Sequence, residues 1–240
     1  LFHPTFLLSD IGNYWKEMDS LIPSHVLDEA QLFIKLSHPN RCTIHRKSRV
    51  RLASVRVTDG IVSAIEAEYP PVNSTHPVFK TEVERMKAIF AQETFLYSVH
   101  ALTTAYAGKT YNGQFSAMGG LHGSDVLPIW YDPLITVDIN GTQVPLWLRA
   151  GDVAVSKAYQ SYLVSHAMTG NPNYYLELLN PPTIVWPKVG DVAGQYFTNV
   201  LNVADNGFGI ITDYGFNRTI CDFWVGIFNK TMVLGGYVPK

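Results

Sequence analysis

Residues 81–116 constrain the fold more than any other stretch, because two periodicities meet there with almost no linker between them. Thr81-Glu82-Val83-Glu84 fits a capping box, in which the Thr81 hydroxyl and the Glu84 carboxylate satisfy free N–H groups reciprocally. Met86, Ile89, Phe90, Glu93 and Tyr97 follow at spacings of three and four, which predicts a helix to about residue 107, ended by Gly108. Phe95 and the aromatic residues around it read as core. Directly behind, Thr110-Tyr111-Asn112-Gly113-Gln114-Phe115-Ser116 is rich in β-formers and predicts a strand leading into Gly119.

The alternation continues downstream. A helix is expected from about Asp152 to Met168, stopped by Gly170-Asn171-Pro172. Residues 196–213 alternate as two short strands joined through Asp205-Asn206-Gly207. Cys221-Asp222-Phe223-Trp224 opens a terminal helix or turn packed by its aromatic pair. Upstream, Ile11, Tyr14, Trp15, Met18 and Leu21 predict a helix over 9–21 closed by Pro23, and Ser24 is placed to cap another beginning at His25. Helix and strand in turn make α/β the expected class.

At 240 residues, with 47% hydrophobic and 16% charged, the chain is long enough for one large domain with a core. A net charge of −2 offers no global reason to bind nucleic acid, and no apolar run has transmembrane length, so no stable membrane anchor is expected. The opening LFHPTFLLSD lacks an initiator Met, a basic leader and a cleavage site, and reads as the middle of a protein. Sequons at Asn73, Asn140, Asn217 and Asn229 point to a secreted glycoprotein. Cys42 and Cys221 permit one disulfide without demanding it.

One tract breaks the texture. Seven of the 18 Lys and Arg fall within 35–56, with no acidic residue among them. The alternation around Arg49-Val50-Arg51-Leu52 fits an exposed strand, and the charge fits a patch for nucleic acid or lipid headgroups. A third reading joins the flanks: Val26, Leu27, Ile61 and Ile65 are compatible with one face of a single amphipathic helix, which makes 29–60 an insertion.

Several motifs fail on inspection. AGKT at 107–110 follows a helix, and position 103 is Thr where a phosphate-binding loop needs Gly. GFG at 207–209 lacks the third glycine of a dinucleotide fingerprint. There is neither HExxH nor CxxC, so no metal and no cofactor is expected, and no G-x-S-x-G occurs anywhere in the chain. What stands out is GGLHGSD, 119–125, where one of eight histidines sits between glycines just past a strand. Glycines let the backbone turn sharply and keep bulk away from an imidazole. Asp125, three residues on, reads as a turn or helix-cap residue, and His100 and His166, on helices, as packing or surface residues.

The run KTYNGQFSAMGGLHGSDVLPIWY, 109–131, resembles the histidine-bearing segment of fungal type-B carboxylesterases and lipases, the cholinesterase-like branch of the α/β hydrolases. AQETFLYSVHALTTAYAGKTY, YQSYLVSHAMTGNPN and CDFWVGIF resemble neighbouring pieces of that family in the same order, and LFHPTF resembles the residues directly after its DEG segment. The resemblance spans most of the chain except 29–60. It implies the C-terminal half of an α/β-hydrolase fold, a partial central sheet with covering helices, so that 1–240 form a single partial domain around the insertion. It also implies a Ser–acid–His triad of which this chain holds the histidine, His122, as catalytic acid/base. The nucleophilic serine and the acid then lie in an N-terminal portion, which becomes the chain's partner, with an ester as substrate. Alone, the chain is expected to be inactive. The alternative is a non-catalytic cholinesterase-like interaction module or an inactive truncated product. Cys221 matches a cysteine near the family's end, with its pairing open.

Overall fold

The helix-to-strand junction predicted at 81–116 organises the molecule. In the computed structural model, which describes residues 20–28, 30–31, 58–106, 109–145, 153–176, 184–192 and 196–234, Thr81 caps helix α2 (Glu82–Ala91) by accepting the Glu84 N–H at 3.1 Å. The Glu84 carboxylate accepts the Lys80 N–H at 2.9 Å. A π-helical turn, Gln92–Leu96, joins α2 to α3 (Tyr97–Ala105). Its wider turn rotates the buried stripe. Ahead of it Ile89 packs with Ile61, Ile65 and Trp224; behind it Leu96 and Val99 pack with Val200 and Phe216.

Strand β2 (Gly113–Phe115) follows within the predicted limits, flanked by β1 (Ser24–Val26) and β6 (Tyr196–Ala204), both parallel to it. Strand β7 (Gly207–Asp213) turns back antiparallel on β6 through Asp205-Asn206, as the alternation predicted. The short β5 (Gly190–Val192) pairs with the start of β6. Phe197 and Val200 are three residues apart, which in a regular strand puts them on opposite faces. A bulge with Asn199 at φ +59° returns both to one side, where they share a cluster.

Helices cover both faces, as parallel strands require. On one lies α5 (Val153–Thr169), whose Val155, Tyr159 and Tyr162 meet Val26, Phe115, Leu201 and Val203 around the fully buried Trp186. On the other lie α2, α3, α1 (Asp59–Glu68) and α6 (Arg218–Leu234). Helix α4 (Val126–Ile129) and an antiparallel hairpin, β3 (Thr136–Ile139) and β4 (Thr142–Pro145), complete the set. The hairpin turns at Asn140-Gly141, both with positive φ, a turn signal that reads equally as a sequon.

Two expectations are corrected. Ser24 does not cap a helix at His25: Ser24–Val26 is a strand, because pairing with β2 between two covering layers outweighs local helical preference over three residues. The single helix joining Val26 to Ile65 does not exist either. Thr58 caps α1 afresh, accepting the Ile61 N–H, and Ile61 and Ile65 pack in one cluster while Val26 belongs to another and Leu27 is exposed. The predicted 9–21 helix, Cys42 and the basic tract lie outside the described residues, as does most of 29–60.

Candidate active site

Beyond the carboxyl end of β2 the chain reverses through three consecutive left-handed residues: Met118 (φ +54°), Gly119 (φ +77°) and Gly120 (φ +61°). Gly120 is needed for space as well as conformation, since a Cβ there would stand 2.7 Å from the Leu27 Cβ. Its carbonyl accepts the Asp28 N–H at 2.7 Å, and Leu121 forms a parallel bridge with Asp28. The continuation of β1 is thus bonded to the residues just before His122.

His122 opens the turn into α4, with Ser124 N–H donating to the Leu121 carbonyl at 2.9 Å and Gly123 at φ +78°. The residue is half-buried with its Nδ1 closed off from solvent, and the ring lies at 5.4 Å from the Phe95 ring, tilted by 40°. Phe95 belongs to the π turn and is itself edge-on to Phe90 at 5.9 Å. The π turn therefore sets the wall of the His122 site as well as the core register.

The acidic groups nearby differ in role. Asp125 stands at the N-cap position of α4 without a side-chain cap hydrogen bond. Burial raises its carboxyl above the usual range, while backbone amides and the charge of His122 pull the other way. Asp28 reaches the site through its backbone, and its carboxylate faces Lys87 of α2 at 3.5 Å. The next residue in the sequence is Glu29, which lies outside the described residues. The sequence reading passed over this acidic pair. Its signal was an Asp-Glu pair just past Ser24-His25-Val26-Leu27 and ahead of the histidine along the chain.

Three other histidines contact side chains of catalytic type: His166, His25 and His100, whose Nε2 lies 4.0 Å from the Asp222 carboxylate. His166 Nε2 lies 2.9 Å from the Ser20 hydroxyl, but that hydroxyl donates to the Gly170 carbonyl at 2.6 Å. A hydroxyl has one proton, so the ring donates to Ser20 here and does not take its proton. Burial also lowers the His166 pKa. His25 Nε2 meets the Asp213 carboxylate at 2.5 Å, both groups buried, with Phe216 edge-on at 5.2 Å. This pair ties β1 to the end of β7 and was not anticipated. His100 stacks on Phe197 within the core, which agrees with the packing role expected of it.

The chain is similar over 95% of its length, at 32% identity, to a secreted lipase of Arthroderma benhamiae. It is a homologue of that lipase. It matches the C-terminal part and spans 41% of the relative's length. Among solved structures the homologue resembles Aspergillus niger EstA, with a TM-score of 0.56 and 16% identity over 88% of this chain and 40% of that one. At that identity the likeness speaks to fold, and the fold is that of an α/β hydrolase, as read from the sequence. No family model matches the sequence. Among the described residues no three His, Cys, Asp or Glu cluster as a metal site, and no helix is long and apolar enough to cross a membrane.

Proposed function

We propose that this chain supplies the histidine of a secreted carboxylic ester hydrolase, His122, and that an ester substrate is cleaved only where a second stretch of polypeptide brings the nucleophilic serine. The observation that carries this reading is the place of His122, in a glycine loop beyond the carboxyl ends of the parallel strands β1 and β2, where open α/β sheets bind ligands. A serine hydroxyl is a weak nucleophile until a neighbouring base removes its proton. Neutral imidazole takes that proton as the oxygen attacks the ester carbonyl, then returns it to the departing alcohol. The sequence holds no nucleophile elbow, which supports a serine carried by another stretch of polypeptide.

For the orienting acid there are two places. The sequence reading puts it upstream with the serine. The backbone bonds between Asp28 and the 120–121 peptide favour the Asp28-Glu29 pair instead, since that strand ends beside the histidine loop. In α/β hydrolases the acid precedes the histidine along the chain, and this pair satisfies that order.

Exposure of Asn73 and Asn140 supports glycosylation there, whereas Asn217 uses its side-chain oxygen to accept the Thr219 N–H at 3.0 Å. The deciding experiment is complementation. The chain is co-expressed with the N-terminal portion of the Arthroderma benhamiae lipase and assayed on p-nitrophenyl butyrate. Turnover that vanishes with His122→Gln supports the proposal; equal turnover by the variant overturns it. Parallel Asp28→Asn and Glu29→Gln variants locate the acid.

A further inference from the structure

A side chain bonded to the chain reversal before His122 comes from the end of β6, the strand next to β2. Asp205 opens the β6–β7 turn, where an Asp before Asn-Gly ordinarily serves the amides of its own turn. Here its Oδ1 accepts the N–H of Met118 at 2.8 Å, 87 residues away in sequence. Met118 is a non-glycine residue at φ +54°, ψ +31°, a left-handed conformation that an ordinary side chain disfavours. It begins the left-handed run that ends at Gly120, two residues before His122. Strained backbone of this kind persists only where its surroundings over-determine it. The Met118 amide has one fixed acceptor, and the preceding Ser116 N–H is bonded to the Val203 carbonyl at 2.9 Å. At the other end of the run the Gly120 carbonyl is held by the Asp28 amide.

We propose that Asp205 is a positioning residue for His122: its carboxylate pins the left-handed Met118, and through that peptide fixes where the imidazole stands. The loop is clamped between two parallel neighbours of β2, by a side chain from the β6 hairpin and by main chain from β1. Removing the carboxylate lets Met118 relax toward right-handed backbone, and the 119–122 segment swings with it. Any acceptor of similar reach at 205 preserves the clamp, so charge is not the requirement. The proposal rests on the hydrolase reading only for the consequence of the positioning.

The test uses the full chain and reads the loop directly. Asp205→Ala is expected to speed hydrogen exchange at the Met118 amide at least tenfold and to shift or broaden the His122 ring resonances, leaving the Trp186 indole signal in place. Asp205→Asn, which keeps an acceptor oxygen, is expected to retain both the protection and the ring signals. An Asp205→Ala variant with unchanged His122 resonances overturns the proposal, as does an Asn variant as disturbed as the Ala one. In the complemented enzyme the Ala variant is expected to lower kcat by about 10²-fold with KM unchanged, the loss that a misplacement of about 1 Å produces. If His122→Gln leaves turnover intact while Asp205→Ala still moves the ring, the hydrolase reading fails and the clamp stands.

Discussion

His122 and His25 sit on neighbouring paths of the same sheet edge and are built for opposite ends. His25 is buried, fixed at 2.5 Å to Asp213 and covered by Phe216. His122 is half-buried, stands in a loop of left-handed residues and borders Phe95. A carboxylate partner at short range is thus no mark of a catalytic histidine by itself. His25 commits its Nε2 to a buried carboxylate within the sheet; His122 stands in a half-buried loop beyond the strand ends. A base must approach a proton on another molecule, which favours the loop histidine over the one fixed within the sheet.

The comparison is broken most severely if the two residues fail to separate activity from stability. In the complemented enzyme His122→Ala is expected to lower kcat/KM by about 10⁴-fold or more, while its unfolding free energy from urea titration changes by no more than about 0.5 kcal/mol. Asp213→Asn should do the reverse to the fold. Disturbing a buried hydrogen bond and leaving its partner poorly satisfied costs about 1–3 kcal/mol, read as a lowered midpoint in chemical denaturation. Next in size is Gly120→Ala, which demands φ +61° of an alanine and drives its Cβ into Leu27. A loss of about 1–3 kcal/mol is expected, with altered His122 ring signals and unchanged His25 signals.

The smallest effect sharpens the comparison with the third histidine. Burial lowers the His166 pKa in the folded state below its unfolded value near 6.5. The unfolded chain therefore binds more protons as pH falls, so this contribution is intact above about pH 6.5 and declines on acidification through the folded pKa. Replacing His166 by Gln should flatten that part of the stability–pH curve between pH 7 and 5, measured by urea titration. A curve of unchanged slope would remove the case for a neutral, structural His166.

Much of this molecule was legible beforehand where the relevant forces are local. The capping box at Thr81 and Glu84, the stop at Gly170 and the turn at Asp205-Asn206-Gly207 each depend on residues within a few positions of one another. The same local signals misled at Ser24-His25-Val26, where three residues have too little intrinsic preference to resist a neighbouring strand. They were silent at the π turn, since no spacing of apolar residues distinguishes it from an ordinary helix ahead of time.

By itself, the sequence determined the α/β alternation, the helix ends, the hairpin and the glycine setting of His122, because hydrogen bonding within a turn or cap is decided by adjacent residues. Only the tertiary structure decided which carboxylates stand near which histidine. Asp213 meets His25 across 188 residues, Asp205 holds Met118 across 87, and Asp28 comes alongside Leu121 by strand pairing. Contacts at such separations follow from how the sheet is ordered, and that order is settled by packing both faces at once rather than by any one stretch of chain.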